Sequence, residues 1–490
     1  MKIALVSPEI VPFAKTGGLA DVAGALPKAL AKLGMEVVVV MPRYKSVDEK
    51  KFGLVRHVKK VSAFMDDRRV EAGIFEGRLP GGVKAYFLDV PEYYWRDQLY
   101  GTPQGDFPDN AERFMYFAKA VPELLKAVEF RPDIVHVNDW QSGLVPLYLK
   151  EFYKDDPFFE GTGTILTVHN LGYQGVFWAE DMHLTGLGWE YFTPETLEFY
   201  GKINVMKAGL LYSDIINTVS KTYSKEIQTE QYGYGLEGVL KVRSDDLYGI
   251  VNGIDYDEWD PTKDKDLYHD FGTGDVKGKE TNKKALKADL GLAAGKKPLF
   301  GIITRLADQK GLDILSEAMD EMLAMDLQFV LLGTGEEKYH KLYTSIAKKR
   351  PKQVSVTIGF DNKLAKRIYA GSDVFLMPSA YEPCGLGQLI SLRYGTVPLV
   401  RKTGGLADTV KNFSPKTGAG NGFVFTDYTK KALLKAVRAA VAMYEDKKAW
   451  KALVTGAMSE DHSWDSSARE YIKLYNKAVA TARQRVKTAA

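Results

Sequence analysis

Lys15-Thr16-Gly17-Gly18-Leu19-Ala20-Asp21 returns letter for letter as Lys402-Thr403-Gly404-Gly405-Leu406-Ala407-Asp408. Each copy follows an apolar strand pattern and opens a helical one. Glycine lets the backbone take positive φ and lets a ligand approach the main chain. Free N–H groups at a helix start, together with the helix dipole, favour an anion such as a phosphate. A lysine, Lys15 or Lys402, stands just before each helix. A single Gly-Gly would read as a tight strand-to-helix turn. Two copies in equivalent settings predict two similar domains facing one cleft.

Around these copies, Val/Ile/Leu-rich runs alternate with helical patterns, which predicts an α/β chain with mostly parallel sheets. In the first half, strands fit Ile3–Ser7, Glu36–Met41, Asp133–Asn138, Thr164–His169 and Ile215–Val219. Helices fit Asp21–Leu33, stopped by Gly34, and Ala111–Ala127. The alternating, Gly-containing stretch 52–90 predicts a small antiparallel insertion on the sheet edge. In the second half, strands fit Leu299–Thr304, Gln328–Leu332, Val354–Ile358, Asp373–Met377 and Val397–Arg401. The helices between them, including Gly385–Tyr394 and Leu406–Asn412, complete a second doubly wound unit. The expected division is residues 1–244, residues 245–462, and a terminal amphipathic helix within 463–490 that crosses back to the first domain. Lys263 to Glu280, rich in Lys, Asp and Gly, reads as a surface loop.

A chain of 490 residues is too long for one ordinary domain. Its 66 Lys and Arg nearly balance 63 Asp and Glu, so no nucleic-acid or other polyanion surface is expected. The single cysteine, Cys384, excludes an intrachain disulfide and a cysteine zinc cluster. The start, Met1 to Glu9, reads as a buried strand rather than a signal peptide. No apolar run approaches the length of a membrane span, so no membrane partner is expected and a cytoplasmic location is the default. The 27 Tyr and 7 Trp would suit carbohydrate stacking, although such rings more often fill cores.

In parallel α/β domains, ligands sit beyond the carboxyl ends of the strands. Arg305 ends one strand and Lys310 precedes the next helix, a pair suited to a pyrophosphate and equally readable as solvated cations in a turn. Tyr381-Glu382-Pro383-Cys384-Gly385-Leu386-Gly387 joins a strand to a helix whose start can hold a phosphate. Glu382 either meets a polar substrate or complements the helix dipole. Cys384 reads as a small buried hydrophobe. Asp139 and Trp140 end one first-half strand, and His169 and Asn170 end the next. That sets a carboxylate, an imidazole and an aromatic ring on neighbouring strand ends. The five histidines other than His136 and His169 show no metal-ligand spacing.

At these residues the chain resembles the bacterial glycogen synthases and plant starch synthases, over nearly its whole length. The resemblance rests on Lys15 to Val22, His136-Val137-Asn138-Asp139-Trp140, Thr167-Val168-His169-Asn170 and Val251-Asn252-Gly253-Ile254-Asp255. It continues through Arg305-Leu306 to Lys310-Gly311 and through Glu382-Pro383-Cys384-Gly385-Leu386. It implies two Rossmann-like domains with a deep cleft, the glycosyltransferase B architecture. It also implies retaining transfer of glucose from ADP-glucose to the non-reducing end of an α-1,4-glucan such as glycogen, with no cofactor and no metal.

By the same resemblance, Lys15, Gly17 and Gly18 meet the donor's phosphate and sugar. Arg305 and Lys310 stabilise the leaving diphosphate. Glu382, Cys384 and Gly385 hold the glucose hydroxyls, while Leu386 and Gly387 open a helix that faces the phosphates. Asp139, Trp140, His169, Asn170 and Asn252 line the sugar pocket and acceptor entrance. Two positions depart from the family pattern. The loop Tyr93-Tyr94-Trp95-Arg96, with Tyr94 as an expected acceptor contact, has Trp95 where Asp is common. Phe360, often Tyr, keeps a ring for the base but offers no hydroxyl. Rival readings are an α-glucan phosphorylase with pyridoxal phosphate, a non-catalytic sugar-binding protein, another retaining nucleotide-sugar glycosyltransferase, and UDP-glucose as donor.

Overall fold

A computed structural model describes residues 1–102, 104–275 and 277–489. Val276, within the expected surface loop, and Ala490, in the expected terminal segment, lie outside the described residues. The chain forms two compact units. The first comprises Met1–Val219, Ser224–Ile250 and the terminal helix; the second comprises Ser220–Tyr223 and Val251–Ser463.

In the first unit the parallel strands are β1 (Lys2–Val6), β2 (Glu36–Pro42), β5 (Lys84–Asp89), β6 (Ile134–Asn138), β7 (Gly163–Val168), β11 (Ile215–Thr218) and β12 (Leu247–Gly249). The antiparallel strands β3 (Val55–Met65) and β4 (Arg68–Arg78) extend one edge. Among the described residues the order is β12-β11-β7-β6-β1-β2-β5-β4-β3. The apolar runs Ile3–Val6 and Val37–Val40 are buried throughout, as strands covered on both faces must be. The stretch 52–90 is thus an edge extension: β5 pairs parallel with β2, and β4 adds antiparallel to β5. Helix α1 (Gly18–Lys32) follows β1, and Gly34, at φ 84°, ends the turn after it. Helix α2 (Asn110–Ala127) packs beside the sheet.

Between β7 and β11 lies a small antiparallel sheet of β8 (Val176–Trp178), β10 (Lys202–Asn204) and β9 (Glu198–Phe199), in that order. Its strands of two or three residues carry too little periodicity to be read from sequence. The terminal helix α6 (Trp464–Ala489) packs on the first sheet. Its Tyr475 hydroxyl lies 2.9 Å from His136 Nδ1, and Asn217 Nδ2 donates to Tyr471 at 3.0 Å. Burial pushes the His136 imidazole down to about 3, so it stays neutral inside the sheet.

The second unit holds β13 (Leu299–Ile303), β14 (Gln328–Gly333), β15 (Val354–Ile358), β16 (Val374–Met377), β17 (Val397–Arg401) and β18 (Phe423–Phe425), ordered β15-β14-β13-β16-β17-β18. The named pairs are parallel. Helices α3 (Leu312–Leu323), α4 (Gly387–Arg393) and α5 (Gly404–Thr409) follow three of these strands. Helix α4 begins two residues later than the pattern predicts, because Gly385 sits at φ 74°, outside the right-handed region. The expected loop 263–280 ends in a helix, Lys277–Asp289, which starts inside it.

Each sheet has one point where the strand order reverses. In the first it falls between β1 and β6, in the second between β13 and β16. Ligands of open α/β sheets bind outside the carboxyl ends at such points. The residues just beyond these four strands include Glu9, Asp139, Arg305 and Glu382.

Candidate active site

Beyond β13 and β16 the second unit has a cavity of about 210 Å³, lined by Thr304, Arg305, Lys310, Ser379, Glu382 and Gly385 among others. Lys310 Nζ donates to both Glu382 oxygens, at 2.9 and 2.7 Å, and Ser379 Oγ donates to one of them at 3.0 Å. Glu382 is 6 % exposed. Arg305 Nη2 donates to Gln309 Oε1 at 2.9 Å, which spends only part of its five-donor fork. Two cations and one carboxylate therefore meet where the dipole of α4 also points, a setting suited to an anionic, hydroxyl-bearing ligand. Leu386 and Gly387 line the same cavity. Cys384 is buried, and burial pushes its thiol up to about 12, so it is no nucleophile. The Asn252 backbone N–H donates to its sulfur, while Asn252 Oδ1 is buried with no partner among the described groups.

The second heptapeptide copy buttresses this loop. Gly405 N–H donates to the Glu382 and Pro383 carbonyls at 3.2 and 3.1 Å. A Cβ on Gly404 would lie 1.9 Å from Glu382 O, and one on Gly405 2.1 Å from Cys384 O. Asp408, in turn, accepts from Thr222 N and Oγ1 at 3.0 and 2.6 Å. The glycines here allow backbone to meet backbone, a use of glycine as general as ligand approach.

The first copy is built differently. The carboxylate of Glu9, from the β1 strand end, accepts from Thr16 N at 2.5 Å and from Thr16 Oγ1 at 2.8 Å. Lys15 Nζ is 2.7 Å from Asp21 Oδ1. A carboxylate of the chain itself thus sits on an N–H that the sequence offers to a phosphate. Burial, with the nearby Asp21 charge adding to it against the Thr16 hydrogen bonds, holds Glu9 up at about 7. Sequence reasoning missed Glu9; its signal is a carboxylate placed directly beyond the central strand of a doubly wound sheet.

Asp139 neighbours Glu9 electrostatically. Its backbone, at φ 53° and ψ −176°, lies in a region almost reserved for glycine, which costs about 1–3 kcal/mol. His169 N–H donates to Asp139 Oδ1 at 2.7 Å and holds it there. Burial first, then the Glu9 charge, push Asp139 up to about 7. The His169 Nε2 lies 2.9 Å from Asn138 Oδ1, and Asn138 Nδ2 donates to Val6 O at 3.1 Å. That fixes the amide, puts the proton on Nε2 and leaves Nδ1 as an acceptor. Burial and the neighbouring His136 push His169 down to about 3, so it is neutral. The buried hydroxyls of Tyr44 and Tyr100 have no partner among the described residues, and Tyr100 feels the Glu9 and Asp139 charges.

Of the remaining expected residues, Asn170 accepts from Gly172 N at 3.0 Å and is partly exposed. Trp140 is packed edge-on against Phe114 and Phe177, at 5.1 and 5.5 Å. Phe360 is 95 % exposed and its ring is open to stacking. Tyr94 is a correction. It is fully buried and its hydroxyl donates to Arg113 O at 2.8 Å, so it supports its own loop from within and offers nothing to a ligand directly.

Residues 283–454 match the family profile described as "Glycosyl transferases group 1". With two doubly wound units and polar residues at both switch points, this defines the chain as a glycosyltransferase with a GT-B-like fold. Residues 2–242 match the profile "Starch synthase catalytic domain". The chain is 50% identical over 483 residues to the glycogen synthase of Geotalea uraniireducens, covering 98% of this chain and 99% of that one. It is 49% identical to that of Fervidobacterium nodosum, with the same coverage. The catalytic domain of Arabidopsis thaliana starch synthase IV, solved with ADP and acarbose, matches at 34% identity and TM-score 0.90 over 98% of this chain and 99% of that chain. The chain belongs to the glycogen synthase family. Sucrose-phosphate synthase from Thermosynechococcus elongatus, 18% identical with a TM-score of 0.59 over 98% of this chain and 99% of that one, shares the fold. Among the described residues no helix is long and apolar enough to cross a membrane.

Proposed function

We propose that this glycosyltransferase moves glucose from ADP-glucose to the non-reducing end of an α-1,4-glucan such as glycogen, with retention, in the cytoplasm. The second unit serves the sugar nucleotide and the first the acceptor. The observation that carries this reading is the meeting of Arg305, Lys310 and Glu382 on one cavity beyond the strand ends. The ADP bound by the Arabidopsis relative supports the choice of nucleotide.

In this reading Arg305 and Lys310 meet the diphosphate, where negative charge grows as the glycosidic bond breaks; donors preorganised for such charge lower the barrier most. Glu382 orients Lys310 and receives glucose hydroxyls, with Gly385 to Gly387 giving the close backbone approach. Phe360 stacks on the base. Departure and attack occur on one face of the sugar, and the leaving phosphate takes the acceptor's proton. Asp139, held by His169 N–H, stabilises the oxocarbenium-like glucose, and His169 Nδ1 accepts from a sugar hydroxyl. Lys15, Gly17 and Gly18 contribute to the donor once Lys15 leaves Asp21.

Transfer of labelled glucose to glycogen from ADP-glucose and from UDP-glucose tests the reading. Incorporation from ADP-glucose at a higher kcat/KM supports it. Preference for UDP-glucose changes the donor, and no incorporation from either overturns it.

A further inference from the structure

The turn between β13 and α3 carries both Arg305 and Lys310, and Gln309 lies between them in sequence. Arg305 and Lys310 line the cavity beyond the strand ends; Gln309 does not. It stands beside the cavity, half-buried, and bonds through three of its groups. Its Oε1 accepts from Arg305 Nη2 at 2.9 Å, and its Nε2 donates to Tyr381 O at 3.4 Å. Its backbone carbonyl accepts from Ala380 N at 2.9 Å. Arg401, at the end of β17, donates to Ala380 O and so holds the same residue through its carbonyl. The Gln309 amide can face only one way, because a guanidinium offers donors alone and a carbonyl accepts alone.

The chemistry of this partner decides what Arg305 can do. Arg305 is exposed on a long, flexible side chain, and without a partner it would spread over many rotamers. A carboxylate in place of the amide would hold it, but would also cancel its charge and compete with phosphate oxygens for the same fork. An apolar side chain would leave the charge intact and unaimed. A neutral amide takes one N–H and leaves the full charge and the other donors to the cavity. The remaining Gln309 bonds run to residues 380 and 381, directly before Glu382. One residue thus sets Arg305 and the Glu382 loop relative to each other. Donors held in place beforehand need no reorganisation when charge develops.

We propose that Gln309 is a positioning residue for the donor's diphosphate: its amide aims Arg305 without neutralising it and fixes Arg305 against the loop that carries Glu382. This rests on the reading in which Arg305 and Lys310 meet the diphosphate. Gln309 itself touches no substrate, so its effect on the donor passes through Arg305.

A double-mutant cycle tests this. Gln309→Met removes the amide at nearly constant size, and Gln309→Glu puts a carboxylate in its place. Each is made in wild type and in Arg305→Ala. ADP affinity is measured by isothermal titration calorimetry, kcat and KM for ADP-glucose and glycogen by steady-state assay, and folding by thermal melts. Gln309→Met should weaken ADP binding about tenfold, the scale of one hydrogen bond to a charged group. KM for ADP-glucose should rise with it, while KM for glycogen stays within about twofold of wild type. Gln309→Glu should bind ADP more weakly still, although it keeps the shape and bonds Arg305 more strongly. In Arg305→Ala, Gln309→Met should change ADP affinity by less than about twofold, and Gln309→Glu should lose most of its effect, because the group they act through is gone. Losses of the same size in both backgrounds overturn the proposal. So does unchanged ADP affinity in a folded single variant, or tighter ADP binding by Gln309→Glu than by Gln309→Met. Should Gln309→Met fail to fold, Gln309→Glu in the two backgrounds decides by itself. Unchanged ADP affinity in folded Arg305→Ala would instead sink the underlying reading.

Discussion

Lys310 and Glu382 are joined twice, the ammonium donating to both carboxylate oxygens at 2.9 and 2.7 Å. The side chains are 21 and 8 % exposed, so this pair is largely withdrawn from water. Lys310 therefore holds the Glu382 carboxylate in place and, in the proposed function, also meets the leaving diphosphate.

Removing it should cost both. Lys310→Ala strands a buried carboxylate with Ser379 as its remaining hydrogen-bond donor, so stability should fall by up to about 3 kcal/mol. If Lys310 also meets developing charge, kcat should fall by about 10²–10³. The double variant Lys310→Met with Glu382→Gln removes both charges and should recover the stability without the activity. Urea melts and steady-state kinetics on the same preparations separate the effects. Recovery of kcat in the double variant would confine Lys310 to a structural role.

The two identical heptapeptides should respond differently to one substitution. Gly17 has φ −147° and, as its nearest neighbour to an added Cβ, Glu9 Oε1 at 3.8 Å. Gly17→Ala should fold with stability within about 0.5 kcal/mol of wild type. At the equivalent position, Gly404→Ala would drive a methyl to 1.9 Å from Glu382 O, so the Glu382 loop must shift. A loss of about 1–3 kcal/mol and a clear drop in activity are expected, read by thermal melts and transfer assays. Equal tolerance at both sites would refute the buttress role of the second copy.

Burial of Cys384, with its thiol raised to about 12, predicts slow alkylation. At pH 8 the native protein should resist iodoacetamide on a timescale that fully modifies the urea-unfolded chain. Mass spectrometry checks this, and rapid native labelling would contradict the buried placement.

The doubly wound frame was legible because buried parallel strands leave unbroken apolar runs and their helices keep a 3.6-residue period. Arg305, Lys310 and Glu382 were legible for a related reason: strand ends can be read, and ligands sit beyond them. What escaped was whatever depends on pairing across the chain. That Glu9 would occupy the Thr16 N–H, or that Gly405 would face Cys384 O, is set by tertiary approach and leaves no local pattern. Tyr94 reads as an exposed loop aromatic, yet Arg113, a helix residue nineteen positions on, draws it into the core. The sheet carrying Trp178 has strands of two or three residues, shorter than any period that could announce them.

Glu9 and Asp139 are electrostatically coupled carboxylates. Burial raises both to about 7, against ordinary values of 4.5 and 3.8. In the unfolded chain they ionise near those ordinary values, while the folded protein holds its protons to about pH 7. Their contribution to stability is therefore fully present below about pH 4 and is lost as pH rises through 7. Glu9→Gln should flatten the stability curve between about pH 4.5 and 7, leaving the variant on the order of 1–3 kcal/mol more stable than wild type at pH 8. Activity should move the other way. In the proposed function Asp139 stabilises positive charge, which it does only when ionised, so kcat should rise with pH through about 7. Because the Glu9 charge helps raise Asp139, Glu9→Gln should shift that inflection to lower pH, and Asp139→Asn should abolish it at a low, flat kcat. Stability curves from urea melts and kcat–pH profiles on the three proteins provide the check. An inflection that stays at the same pH in Glu9→Gln would show that the two carboxylates do not act on one another.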